Sequence, residues 1–210
     1  MTPEQAVAAL RRANAVAQRA LALGRHPFGA VLVAPDGETV LAEQCNVDSV
    51  NHAESTLARA AAQNHPADFL WRCTLVTTVE PCAMCAGTQY WAHIGRVVYG
   101  MSEERLLALT GRHEENPTMS LPCREVFARG QKPVEVIGPV PEVEAEIDRE
   151  AQGNRDGDGA RQGRLPVLPE VLARARKRLV RGRAERKEVD RLAHPGIVVF
   201  PIGPVQVVFV

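Results

Sequence analysis

Apolar residues recur at helical spacing along the first twenty-odd residues of the chain. The repeat is formed by Val7, Leu10, Ala17 and Leu21, with the polar Asn14 at the same spacing. Thr2 can cap such a helix, Pro3 suits its first position and Gln5 completes a capping box, while Gly24 ends the pattern. The sequence therefore begins with a predicted amphipathic helix.

Runs of aliphatic and β-branched residues predict strands farther along the chain. They cover residues 30–34, 39–43, 73–79, 96–99 and 135–137. The first two runs are joined by Pro35, Asp36 and Gly37, residues that favour a tight hairpin turn. Residues 73–79 are apolar enough to predict a strand buried on both faces.

Helical patterns separate these strands. Asn51 can cap a helix that carries His52 and Glu54 near its start, and further helices are predicted from Pro81 to about Ala92, over residues 103–109 and over residues 141–150. Strands that alternate with helices of this length indicate an α/β fold in which helices cover both faces of a sheet.

The composition changes near residue 150. The chain has 210 residues and no net charge, but residues 151–210 contain 12 basic and 6 acidic residues, against 13 and 19 in residues 1–150. We expect a domain over residues 1–150, followed by a C-terminal extension, rich in Gly and Arg, that is predicted to be disordered. The acidic domain does not have the positive charge with which proteins usually hold nucleic acid.

The overall composition is that of a soluble globular protein, with 45% hydrophobic and 24% charged residues. No apolar run approaches the length of a membrane span, and the N-terminus does not resemble a secretory signal. A cytoplasmic location is expected. Five cysteines in such a chain favour a metal or redox role for Cys82 and Cys85 over a disulfide framework.

Three residues form a predicted zinc site. His52 and the pair Cys82 and Cys85 are 30 residues apart in sequence, and each group lies at the start of a predicted helix. Imidazole and thiolate suit zinc, and three protein ligands leave the fourth position open for water, as catalytic zinc sites require. One Zn²⁺ per chain is expected.

Glu54 follows the predicted ligand His52 by two residues. A carboxylate in that position can take a proton from an activated water and pass it to a leaving group, which predicts a hydrolytic reaction. Two other interpretations are a structural zinc site within an interaction domain, which leaves Glu54 without a role, and a thioredoxin-like redox pair, which leaves His52 and Glu54 unexplained.

These motifs resemble the cytidine and deoxycytidylate deaminase superfamily. The resemblance rests on His52-Ala53-Glu54, on Pro81-Cys82-Ala83-Met84-Cys85 and on Pro27-Phe28-Gly29-Ala30-Val31. These motifs resemble the branch that holds guanine deaminases, other small nucleoside deaminases and tRNA adenosine deaminases. It implies a three-layer α/β/α domain around a five-stranded sheet, and a homodimer. It also implies that hydroxide attacks the amine-bearing carbon of a base ring, with release of ammonia.

The resemblance assigns roles residue by residue. His52, Cys82 and Cys85 correspond to the zinc ligands and Glu54 to the proton shuttle. The expected substrate contacts are Asn46, Phe28, Ala53 and Trp91. The expected substrate is a free nucleobase or small nucleoside, guanine first; tRNA adenosine, cytosine and cytidine remain alternatives, and no membrane partner is expected.

Overall fold

The computed structural model describes residues 1–111 and 119–148. Its five strands are β1 (Gly29–Val33), β2 (Val40–Cys45), β3 (Thr74–Val79), β4 (Arg96–Met101) and β5 (Glu135–Ile137). Its helices are α1 (Pro3–Ala22), α2 (Ala53–Asn64), α3 (Ala67–Leu70), α4 (Ala83–Trp91), α5 (Glu103–Thr110) and α6 (Cys123–Ala128), and residues 141–148 are also helical.

The predicted strands and the longer helices are confirmed. The capping box at the start of α1 forms as predicted, with Thr2 and Gln5 bonded to each other's backbone. The sequence did not predict α3 and α6, which have four and six residues and are too short to show a helical repeat.

The strands form one mixed sheet in the order β2-β1-β3-β4-β5. β1 is antiparallel to both β2 and β3, whereas β3, β4 and β5 are mutually parallel neighbours. In the predicted hairpin turn the Asp36 carboxylate accepts hydrogen bonds from the backbone of Glu38 and Thr39. Because β3 and β4 are parallel, the loops that follow them leave from the same edge of the sheet.

Helices pack on both faces of this sheet. Val31 and Val33 of β1 face a core built with α1, α5 and residues 141–148. Ala30 and Leu32 of the same strand face a second core built mainly with α2, α4 and α6. The two-residue period of a strand thus divides β1 between two cores, and the expected three-layer α/β/α architecture is confirmed.

Gly29 allows α1 to pack closely on the sheet. A β-carbon at this position would collide with the backbone of Ala13 and Ala17. The glycine after Phe28 therefore has a packing role, since it lets the helix and β1 approach at backbone distance.

The predicted boundary near residue 150 lies at the end of the described part of the chain. The start of the predicted acidic helix is confirmed over residues 141–148, and Val143 and Ile147 within it are buried. The proposed extension, residues 151–210, lies outside the described residues. Within the described ranges, no helix is long and apolar enough to cross a membrane.

Candidate metal centre and active site

The predicted zinc ligands lie at the N-termini of two helices. His52 is the N-cap of α2 and Cys82 is the N-cap of α4, both with extended backbone angles. Their carbonyls accept the first helical hydrogen bonds, from Thr56 and Ala86 respectively. The two helices therefore begin at the residues that carry the candidate metal donors.

The prediction that Asn51 caps α2 is wrong. The N-cap is His52, and the Asn51 amide instead donates to the carboxylate of Asp48, at 3.0 and 3.2 Å. Asp48 also accepts from the backbone of Val50 and Asn51, so its carboxylate organises the loop before α2. A short polar side chain can serve either a cap or a turn, and here the preceding Asp48 keeps Asn51 in the turn.

The spacing of the two cysteines brings their sulfurs together. Cys82 is the N-cap of α4 and Cys85 is its third residue, because the helix begins at Ala83. These are the two positions of a capping box, in which each side chain reaches the backbone of the other residue. A Cys-x-x-Cys motif at a helix N-terminus therefore forms half of a metal site by local geometry alone.

The three donor atoms have separations that suit zinc. Nδ1 of His52 lies 3.6 Å from Sγ of Cys82 and 3.5 Å from Sγ of Cys85, and all three atoms lie within 4.8 Å of one another. Tetrahedral zinc with ordinary bond lengths would hold nitrogen and sulfur about 3.6 Å apart. One imidazole and two thiols thus fit a zinc ion with an open fourth position.

The pKa values of the two thiols shift in opposite directions. A hydrogen bond from Cys85 lowers the pKa of Cys82, and the same interaction, together with burial, raises the pKa of Cys85. The pKa of His52 is raised, mainly by its hydrogen bond with Cys82. A metal ion that takes all three donors has to displace the protons that they carry.

Glu54 is buried directly beside these donors. Its Oε1 accepts a hydrogen bond from Oγ1 of Thr77 at 2.7 Å, and its Oε2 lies 3.5 Å from Sγ of Cys85. Burial raises the pKa of Glu54, while the Thr77 bond acts in the opposite direction. The carboxylate is therefore held by one oxygen, and its second oxygen faces the metal centre.

The structure places the four predicted substrate residues differently. Ala53 is the buried first residue of α2, between His52 and Glu54. Asn46 follows β2 and is only 2% exposed, and its backbone N–H donates to the carbonyl of Phe28 at 2.9 Å. The hydrogen bond joins the two loops that carry Asn46 and Phe28.

Trp91 is not brought to the site. It is the last residue of α4, and its side chain is 77% exposed. Nine residues of helix separate it from Cys82, which corresponds to about 13 Å along the axis. The ring of Tyr90 packs edge-on against it. The family resemblance placed Trp91 near the substrate, but α4 carries this residue away from the ligands at its start.

Sequence reasoning missed two buried side chains that support the centre. Thr77 holds Glu54, and β3 is fully buried although it contains three threonines, Thr74, Thr77 and Thr78. Glu80, 7% exposed, accepts from the backbone N–H of Glu103 at 3.3 Å and of Cys123 at 3.0 Å. Both partners are far along the chain, so no local pattern revealed this contact.

The fold and the site together define a zinc-type deaminase. A three-layer domain places a His/Cys/Cys group and a buried glutamate at the N-termini of two helices. Residues 3–101 match the family described as the cytidine and deoxycytidylate deaminase zinc-binding region.

Similarity to known proteins extends over most of the described residues. A probable cytosine deaminase of Schizosaccharomyces pombe is 35% identical over 147 residues, which cover 69% of this chain and 90% of that protein. The chain belongs to the cytidine and deoxycytidylate deaminase family. A tRNA-specific adenosine deaminase of Haemophilus influenzae is 38% identical over 108 residues, 49% of this chain and 62% of that protein.

A solved structure has the same fold. A guanine deaminase from Nitrosomonas europaea superposes with a TM-score of 0.55 over 71% of this chain and 84% of that one, at 22% sequence identity. Since the two sequence relatives are named for different substrates, membership of the family fixes the reaction class and leaves the base to be assigned.

Proposed function

We propose that this protein is a zinc-dependent hydrolase that deaminates a free nucleobase, with guanine as the first candidate and cytosine as the second. The observation that carries the proposal is the position of Glu54, whose Oε2 lies 3.5 Å from Sγ of Cys85 at the His/Cys/Cys group. A structural metal site has no use for a buried carboxylate aimed at its donors.

His52, Cys82 and Cys85 would hold the zinc ion, one per chain. When bound, zinc supplies Lewis acidity that makes a water molecule nucleophilic near neutral pH. Glu54 accepts the proton at Oε2 and returns it to the departing amine, while Thr77 holds Oε1 and fixes the orientation of the carboxylate. Burial around Glu54 excludes bulk water that would compete for this proton.

Asn46 supports a pocket that recognises the edge of a base. Its Oδ1 is buried and has no hydrogen-bond partner among the described residues, and its Nδ2 is 3.4 Å from the carbonyl of Asp48. A buried amide without a full set of partners is costly unless a ligand completes it. Asn46 can offer a base both a donor and an acceptor, and the ring of Phe28 offers stacking surface.

The charge of the domain favours a free base over a base in RNA. Residues 1–150 contain 13 basic and 19 acidic residues, and phosphate contacts need the opposite balance. Guanine is the first candidate from the resemblance of the motifs. Cytosine is the second, since the S. pombe relative named as a probable cytosine deaminase matches this chain over 90% of its own length.

The test is ammonia release by the zinc-loaded full chain with guanine, guanosine, cytosine, adenine, adenosine and a tRNA anticodon stem-loop. Guanine or cytosine should be the best substrate, and Glu54→Gln should retain zinc while turnover falls by about 10²–10⁴-fold. Faster turnover of the stem-loop than of any free base or nucleoside would refute the substrate class. Near-normal rates in Glu54→Gln would refute the role of this carboxylate.

We also propose that the chain forms a homodimer, on the basis of the family resemblance. Light scattering of the purified protein should give twice the chain mass of 22.9 kDa. A mass of one chain at working concentration would contradict the proposal.

A further inference from the structure

A second carboxylate lies at the edge of the sheet where the metal centre sits. Glu103 is the first residue of α5, immediately after β4 and its cap Ser102. The backbone N–H of Glu103 donates to Oε2 of Glu80, which comes two residues before the ligand Cys82. The start of α5 is thus tied to the segment that carries the metal donors.

The Glu103 side chain shares the electrostatic environment of the catalytic groups. Burial raises the pKa of Glu103 to about 7, with further contributions from the charges of Cys82, Glu80 and Glu54. Its Oε2 is buried and has no hydrogen-bond partner among the described residues. A desolvated carboxylate oxygen without a donor is unfavourable, so a ligand that supplies a donor would be stabilised there.

The donors of a free base limit what this oxygen can bind. The exocyclic amine is the leaving group, which must lie at the metal centre beside Glu54. The remaining donors are ring N–H groups: N1–H in cytosine, and N1–H and N9–H in guanine. The ring nitrogen that bears the sugar in a nucleoside has a hydrogen only in the free base.

We propose that Glu103 is a specificity-determining residue whose unpaired carboxylate oxygen accepts a hydrogen bond from the ring N–H that a nucleoside lacks. Glu103 thereby favours a free base over its nucleoside. The inference rests on the proposed function, because it takes the base ring to lie between the metal centre and the start of α5. A charge-assisted bond of this kind is among the stronger polar contacts in proteins.

The test measures binding separately from catalysis. In zinc-loaded full-length Glu54→Gln protein, equilibrium dialysis gives Kd values for cytosine, 1-methylcytosine, guanine and 9-methylguanine. For at least one of the two pairs, the methylated base should bind about tenfold or more weakly than the parent base, since it cannot donate to Glu103. In Glu54→Gln/Glu103→Ala the ratio of the Kd of the methylated base to the Kd of the parent base should fall close to one.

The matched control is Glu54→Gln/Glu104→Ala, since Glu104 is the exposed neighbour of Glu103 on α5. This variant should keep the full discrimination. Three results would overturn the Glu103 inference. The first is that Glu54→Gln/Glu103→Ala still binds the parent bases more tightly than their methyl analogues. The others are that the Glu54→Gln protein binds each base and its methyl analogue equally, or that it binds none of the four. Lack of turnover by the wild-type protein, with the binding discrimination intact, would instead refute the proposed deamination and leave the Glu103 contact standing.

Discussion

At the scale of single residues, the chemistry depends on how Glu54 is balanced between burial and hydrogen bonding. Burial raises the pKa of Glu54, whereas the bond from Thr77 lowers it. A general base must be ionised before it can accept a proton, so the Thr77 bond extends the working range of Glu54 toward lower pH. Thr77 is therefore more than a polar residue tolerated in a buried strand.

Thr77→Val should shift the acid limb of the pH profile of kcat/KM to higher pH. The substitution keeps the shape of the side chain and removes the hydrogen bond that lowers the pKa of Glu54, so the folded-state pKa rises and activity is lost at a higher pH than in the wild type. The measurement is kcat/KM across pH 5 to 9.

Thr78→Val is the matched control. Thr78 is equally buried and is adjacent in β3, but its hydroxyl accepts from the backbone of Gly29 and does not contact Glu54. It should destabilise the protein without moving the acid limb. An unshifted limb in Thr77→Val would show that the Thr77 bond does not control the protonation of Glu54.

At the scale of elements, the start of α4 forms most of the metal centre. Cys82 and Cys85 meet because they occupy the N-cap and third positions of one helix, and His52 joins them from the N-cap of α2. The positive ends of the two helix dipoles favour the thiolate forms that a metal ion requires. Two helix starts therefore provide both the geometry and the charge of the site.

Cys85→Ser should lose most of its zinc. A hydroxyl at this position is not deprotonated as a thiol is, and the remaining His52 and Cys82 are too few to hold the ion firmly. Elemental analysis after dialysis gives the zinc content per chain. Cys45→Ser, which changes a half-buried cysteine outside the donor group, should keep its zinc. Equal zinc content in the two variants would contradict the assignment of Cys85.

Glu80 connects three elements that meet at the same edge of the sheet. Its backbone N–H donates to Met101 of β4, and its carboxylate accepts from the first residues of α5 and α6. The Glu80 carboxylate offers one oxygen to each helix, and a negative charge there complements the positive ends of both helix dipoles.

Glu80→Gln should lower the free energy of unfolding by about 1–3 kcal/mol, because the amide keeps one acceptor and sets an NH₂ group against the other backbone donor. Denaturant unfolding measures the change. Glu104→Gln, at an exposed position of α5, should change stability by less than about 0.5 kcal/mol. A Glu80 variant as stable as this control would show that the two bonds contribute nothing.

At the scale of the whole molecule, periodic patterns and motifs predicted most of the secondary-structure elements and the candidate metal donors. The capping box of α1, the hairpin and the order of strands and helices follow from local sequence, as does the pairing of Cys82 with Cys85. Contacts between distant segments, such as those of Glu80 and Thr77, could not be predicted from local sequence. The position of Trp91 was missed for another reason: a motif gives the residue, but only the direction of the helix shows where the side chain lies.

The described residues form two apolar cores. Among the described residues, the last buried ones are Val143 and Ile147, which belong to the core on the α1 face. The five described strands of the sheet all precede them. The composition of residues 151–210, rich in Gly and Arg, predicts too little apolar surface to offset the entropy of ordering them. The domain should therefore fold without them.

Truncation after Glu150 should leave zinc content, melting temperature and turnover of a free base close to those of the full chain. The reason is that the metal donors, Glu54 and the described residues of both cores lie within residues 1–148. Differential scanning calorimetry and elemental analysis compare the truncated protein with the full chain. The control is truncation after Val140, which also removes the buried Val143 and Ile147 and should lower the melting temperature. If truncation after Glu150 destabilised the protein as much as this control, residues 151–210 would be part of the folded domain and the predicted boundary would be wrong.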